Sequence, residues 1–292
     1  MQKYQGSMVA LVTPFKNNKL DLKGFERLVE FQIKNGTSCI VVTGTTGECP
    51  TLSFEEHVEA IKTVVDIVKG RILVMAGAGS NNPVEAIALS NAAEKAGADC
   101  LLHNAGYYNK PNQEGLYAHF KMVHDNTSLP IFLYNVPGRT VVNISSELVA
   151  RLAKLERIVG IKDATGNLER PWIERNMIKK DFTWLSGEDA TAVGFNAAGG
   201  VGVISVTANA APAYVAKVQE LTAKNMWYEA SIEQLRLMTL HRLMFKEPSP
   251  APAKYAASLL GLCTEETRIP ILPVSESLRA EIKSEMQKLE LI

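Results

Sequence analysis

MVALVTPF, residues 8–15, is the stretch that decides the fold. It is an apolar run of strand length, and it runs into Thr13-Pro14-Phe15 with no G-x-G-x-x-G turn behind it. An open doubly wound sheet commonly carries that glycine pattern after its first strand. Its absence favours a closed barrel. Seven further runs follow: CIVVTG (39–44), ILVMAGAG (72–79), CLLHNA (100–105), IFLYNVP (131–137), IVGIKDA (158–164), FTWLSG (182–187) and VGVISVTA (201–208). Their starts lie roughly 20–35 residues apart, the size of a βα unit. Eight strands alternating with helices over about 220 residues close into a (β/α)8 TIM barrel.

Helical patterns fill the gaps. Ser53-Phe54-Glu55-Glu56 reads as a capping box opening a helix to Lys69, with Val58, Ile61, Val65 and Val68 on one face. Asn82-Pro83 reads as a cap followed by a first-turn proline, and Gly36, Gly70 and Gly97 as helix stops. Pro171 marks a first turn or a kink. Past residue 210 the pattern is helical only, over 213–224, 226–246, 250–261 and 275–290, with EPSPAPAK (247–254) as a break. The expected organisation is a barrel over 1–224 and a C-terminal helical extension over 225–292.

The 292 residues balance 31 Lys+Arg against 31 Asp+Glu, which argues against nucleic acid as a partner. Apolar residues at 46% supply a large core, and 21% charge is too little for a disordered chain. No apolar run is long enough to span a membrane, and the N-terminus reads as a strand rather than a signal peptide. Cys39, Cys49, Cys100 and Cys263 form no C-x-x-C pair and read as buried thiols, which points to a cytoplasmic protein. The five histidines show no metal-ligand spacing, so no metal site is expected.

In a barrel the chemistry sits where strands end at the C-terminal face. There the chain places Gly44-Thr45-Thr46-Gly47-Glu48, Tyr134 through Arg139, Lys162-Asp163, and Ser186-Gly187-Glu188-Asp189. Lys162 stands out in an otherwise apolar strand, where an unpaired ammonium costs several kcal/mol. It faces either the barrel interior or the helix layer. It is either a desolvated nucleophile that forms a Schiff base with a carbonyl, or a strand-end lysine reaching water or a carboxylate. Thr45 and Thr46 offer donors for a small carboxylate or simply build a turn. Tyr134 is a proton carrier or core packing, Arg139 a carboxylate fork or a solvated loop residue, and Glu48 a support for the turn. A lysine, a phenol and carboxylate donors together suit carbon–carbon bond chemistry on a 2-oxo acid.

GTTGE (44–48), YYNKP (107–111), YNVPGRT (134–140), GIKDATGN (160–167), SGEDA (186–190), GVISVTAN (202–209) and EPSPAPAK (247–254) occur in this order along the whole chain. On these motifs the sequence resembles the dihydrodipicolinate synthase family, within the pyruvate-dependent Schiff-base aldolases and lyases. The resemblance implies a Schiff-base Lys162 for pyruvate, Tyr134 as general acid/base, and Thr45 relaying protons toward a Tyr108 supplied by a neighbouring subunit. It implies that Thr46 holds the pyruvate carboxylate, that backbone at Gly187 and Ile204 lines the pyruvate pocket, and that Arg139 holds the carboxylate of aspartate 4-semialdehyde. The product would be 4-hydroxy-tetrahydrodipicolinate, on the route to diaminopimelate and lysine, with no metal or organic cofactor and a homotetramer of tight dimers. His57, Asn81, Glu85 and Tyr107 match a site at which sensitive members bind lysine as feedback inhibitor.

Two departures stand out. His103-Asn104-Ala105-Gly106 replaces an apolar stretch with Thr-Pro, which threatens to reshape the barrel floor, and Cys49 stands where serine is common. The rival readings are N-acetylneuraminate lyase, a 2-keto-3-deoxy sugar acid aldolase, and a non-catalytic pyruvate-binding barrel.

Overall fold

The computed structural model describes residues 3–104 and 106–292. Eight parallel strands close into one barrel: β1 Gly6–Ala10, β2 Cys39–Val42, β3 Leu73–Gly77, β4 Cys100–Asn104, β5 Ile131–Asn135, β6 Ile158–Asp163, β7 Thr183–Ser186 and β8 Gly202–Ser205. The helices between them are α1 Leu22–Lys34, α2 Phe54–Val68, α3 Pro83–Ala96, α4 Gln113–Asp125, α5 Ser146–Leu152, α6 Arg170–Met177 and α7 Ala192–Ala197. After β8 come α8 Pro212–Ala223, α9 Trp227–Leu243, α10 Ala251–Leu259 and α11 Glu276–Lys288.

Parallel pairing puts partners on the same side of the sheet, so the register fixes what faces inward. One set closes around the barrel: Met8, Cys39, Met75, Leu102, Asn104, Phe132, Tyr134, Gly160, Lys162, Leu185, Gly202 and Ile204. Phe132 fills the interior, and a Cβ on Gly160 would stand 2.4 Å from its ring. The alternate set, including Leu133, Asn135, Asp163 and Trp184, faces the helices.

The capping box at Ser53 forms, Asn82 caps α3, and Pro171 stands in the first turn of α6. On α2 the buried line is His57, Ala60, Ile61, Val64 and Val68, with Val58 and Val65 only half-buried. The stop after α2 is shared: Lys69 itself takes the left-handed conformation ahead of Gly70. The first strand is shorter than the apolar run 8–15. Beyond Ala10 one edge keeps a single bond to β2, from Leu11 N–H to Val41 O at 3.0 Å, while the other edge is met by a side chain: Val12 N–H donates to Asn209 Oδ1 at 3.0 Å, and Asn209 Nδ2 donates to Ala10 O at 2.8 Å. Pro14 has no N–H to continue a ladder. Phe15 instead opens a small hairpin, Phe15–Lys16 with Lys19–Leu20, turned by Asn17 and Asn18 in left-handed conformations. The helices after residue 225 share one apolar core with the barrel through Leu237, Leu240, Ala253 and Met286. No helix among the described residues is long and apolar enough to cross a membrane.

Candidate active site

Lys162 faces the barrel interior near its C-terminal mouth and is only 6% exposed. Tyr134 is its direct register partner on β5, and the Lys162 Nζ lies 4.2 Å from the Tyr134 ring centroid. Its Nζ has no hydrogen-bond acceptor and no carboxylate within ion-pair range among the described residues. Gly187 explains how the stem fits, because a Cβ there would stand 3.0 Å from Lys162 Cε and 2.8 Å from Ala164 Cβ. Ile204 is buried on the same inner face. Glu188 follows Gly187, and its carboxyl is pushed up by burial and by Asp189 while the nearby Lys162 draws it back.

The Thr45–Thr46 turn is built by backbone bonds from Gly47 N to Gly44 O at 3.0 Å and from Glu48 N to Thr45 O at 3.1 Å. Thr13 Oγ1 donates to Gly47 O at 2.6 Å. Both threonine hydroxyls remain without a protein partner among the described residues. Arg139 projects from a single helical turn, Pro137–Thr140, and carries no ion pair among the described residues.

A cavity of about 540 Å³ opens here, with Thr45, Tyr134 and Arg139 in its wall. The same cavity continues to His57, Ser80, Glu85 and Tyr107. Lys162, Thr46, Gly187 and Ile204 lie outside its lining, with Lys162 beneath the Tyr134 ring. Asn81 is also outside it and donates from Nδ2 to Tyr107 O at 3.1 Å. His57 is buried, and its Nε2–H donates to Gly77 O at 2.6 Å. Burial holds the imidazole below its usual pKa, against Gly77 O and Glu85. Ser80 Oγ donates to Glu85 Oε2 at 2.5 Å.

Tyr108 is 92% exposed with φ +68° and does not line this chain's cavity. The polar segment before it does not disturb the barrel floor. His103 faces outward, its Nε2 3.1 Å from Ser90 Oγ on α3, and burial drives its pKa down to about 3. Asn104 faces inward but lines the cavity mouth. Ala105 lies outside the described residues. Cys49 lines the cavity, and burial pushes its thiol up to about 12, which leaves it an inert wall.

Sequence reasoning missed Asn104 as a cavity residue and the partners of Glu48. Strand alternation carried the first signal; the second had none, because Lys254 and Arg268 lie more than 200 residues away.

The profile of the Dihydrodipicolinate synthetase family matches residues 3–289. A 4-hydroxy-tetrahydrodipicolinate synthase of Parvibaculum lavamentivorans is 52% identical over 289 residues, 99% of each chain. A dihydrodipicolinate synthase from Acinetobacter baumannii, solved in complex with pyruvate, superposes with a TM-score of 0.96 at 41% identity over 99% of each chain. One from Cyanidioschyzon merolae, solved with lysine bound, gives 0.97 at 35% identity over 100% of each. Agreement runs from the first strand to the last helix and is not confined to the site: this chain belongs to the dihydrodipicolinate synthetase family.

Proposed function

We propose that this chain condenses pyruvate with L-aspartate 4-semialdehyde to give 4-hydroxy-tetrahydrodipicolinate, through a Schiff base on Lys162. The observation that carries the reading is the Lys162 amine beneath the Tyr134 ring, at the mouth of a barrel and without an acceptor among the described residues. Such an amine is free to attack the pyruvate ketone, expelling water as the imine forms. Loss of a methyl proton gives an enamine whose carbon attacks the aldehyde of the second substrate. The aldehyde oxygen takes up a proton and stays as the product hydroxyl. The amine of the second substrate then adds to the imine carbon, closing the ring and releasing Lys162.

Tyr134, its ring centroid 4.2 Å from Lys162 Nζ, serves as the proton carrier of the imine, with Thr45 in the same cavity wall. Thr46, with the backbone at Gly187 and Ile204, holds the pyruvate end. Arg139, in the cavity wall and without an ion pair among the described residues, offers a planar fork to the second substrate's carboxylate. Tyr108 is exposed and does not line its own chain's cavity, which fits a tyrosine that completes a neighbour's site in a homotetramer. Mixing inactive Tyr108→Phe and Lys162→Ala chains should restore activity, and no recovery after proven subunit exchange would remove the shared site.

The branch of the cavity reaching His57, Glu85 and Tyr107 fits free lysine as an inhibitor, with Glu85 accepting its ammonium. Because this branch is continuous with the catalytic wall, occupancy of one bears on the other. Titrating turnover with lysine at fixed pyruvate tests it, and an unchanged rate at tens of millimolar would remove it.

The central test is pyruvate with borohydride, expected to leave one adduct per chain on Lys162. Turnover with aspartate semialdehyde, but not with N-acetylneuraminate or keto-deoxy-gluconate, completes it. An adduct on another lysine, or no turnover with aspartate semialdehyde, sinks the reading.

A further inference from the structure

Glu48 closes the turn that carries Thr45 and Thr46, yet nothing in the chemistry above uses it. Its backbone is left-handed, with φ +55°, a conformation that costs a non-glycine residue roughly 1–2 kcal/mol. Its carboxylate is 3% exposed and is held from the far end of the chain. Lys254, in α10 and 0% exposed, brings Nζ to 2.6 Å from Glu48 Oε1. The approach is off the line of a good hydrogen bond, so the contact is an ion pair first. Arg268, in the segment after α10, donates its backbone N–H to Glu48 Oε2 at 2.9 Å.

The surroundings fix both donors. Lys254 Nζ also donates to Glu266 O at 2.6 Å and sits 4.1 Å from the Phe15 ring centroid. The Arg268 guanidinium donates to Thr51 O at 2.7 Å and to both Glu56 oxygens at 2.6 Å, and Glu56 is part of the α2 capping box. Glu266 accepts from the N–H groups of Asn17 and Asn18 in the hairpin turn. The C-terminal segment therefore grips residues 48–56 at both ends and braces itself on the hairpin after β1.

We propose that Glu48 is a positioning residue, and that the Lys254 ammonium and the Arg268 N–H hold it so that Thr45 and Thr46 stand where pyruvate needs them. This rests on the reading of those two threonines as pyruvate-site residues. A buried ion pair is a poor device for stability alone, since well-packed apolar residues serve as well or better. What it provides is direction. The turn is fixed at Gly47 and Glu48, and the Thr45 and Thr46 hydroxyls have no protein partner of their own among the described residues.

The test compares Glu48→Gln, Lys254→Met and the double variant Glu48→Gln/Lys254→Met, all assayed well below their melting temperatures. Each single variant strands one buried charge and should melt earlier. The double variant removes both charges and should recover most of the melting temperature. All three should raise the KM for pyruvate on the order of tenfold, while saturating pyruvate with borohydride still labels Lys162 fully. Recovery of stability without recovery of KM separates positioning from packing. A pyruvate KM within about twofold of the wild type in the double variant overturns the proposal, even if the singles fail to fold. Thr46→Val separates the two layers of the argument. A raised KM there with unchanged clamp variants removes the clamp alone, and an unchanged KM in Thr46→Val removes the underlying reading with it.

Discussion

The two faces of β6 differ by one residue in sequence and by everything in their chemistry. Lys162 turns inward, where its Nζ meets an aromatic ring and no acceptor among the described residues. Asp163 turns outward and is saturated. Its Oδ1 accepts from Thr165 N at 2.8 Å and Thr165 Oγ1 at 2.6 Å, and its Oδ2 accepts from Arg170 Nε at 2.7 Å. Arg170 goes on to Glu174 Oε1 at 2.8 Å and Ile144 O at 2.8 Å. Glu174 also accepts from Trp184 Nε1 at 2.9 Å and from the Ser146 hydroxyl at 3.2 Å. The outer network ties β6, α5, α6 and β7 into one rigid support. On the inner face Lys162 Nζ joins no such network among the described residues.

If the inner face serves chemistry and the outer face serves rigidity, variants on the two should fail differently. Lys162→Met is expected to lower kcat by at least about 10⁴-fold while leaving the melting temperature unchanged or higher. Loss of folding in that variant would break the comparison. Arg170→Met leaves Asp163 and Glu174 buried without their counter-charge, and is expected to cost about 3–5 kcal/mol of stability in a urea titration. The folded fraction should still form the borohydride adduct. Arg139→Ala, at the mouth rather than on either face, should raise the KM for aspartate semialdehyde about 10- to 100-fold and spare pyruvate trapping. Loss of trapping there would make Arg139 structural.

The smallest effect is a pH slope. Burial, aided by Asp163, pushes the Glu174 carboxyl up to about 7, against Arg170, Trp184 and Ser146. The folded state then binds that proton more tightly than the unfolded chain, whose value is near 4.5. The contribution of Glu174 is therefore complete below pH 4.5 and is lost as pH rises through 7. Glu174→Gln should remove that loss, so the stability gap between variant and wild type should change across this window. A constant gap would show that Glu174 stays ionised throughout.

The contrast between neighbours also explains what was legible beforehand. Alternation along IVGIKDAT required Lys162 and Asp163 to face opposite ways, but not which of them faced inward. Closure of the barrel decided that, because the register carries Lys162 onto the same face as Tyr134 and Leu185. Likewise the polar pair His103-Asn104 looked like one disturbance, and the sheet splits it into a helix-layer histidine and a cavity amide.

By itself the sequence determined the eight-strand pattern, the capping box at Ser53, the helical C-terminal region and the residue types of the site. These depend on spacing within one strand or one helix turn, which is local information. The tertiary structure alone decided where β1 ends, because Asn209 replaces a ladder partner from nearly 200 residues away. It decided that His57 is buried against Gly77 and that one cavity joins Thr45, Tyr134 and Arg139 to Glu85. It also decided that Glu48 is held by Lys254 and Arg268. Contacts of that separation carry no period along the chain; they exist only once the barrel has closed and the C-terminal helices have packed against its mouth.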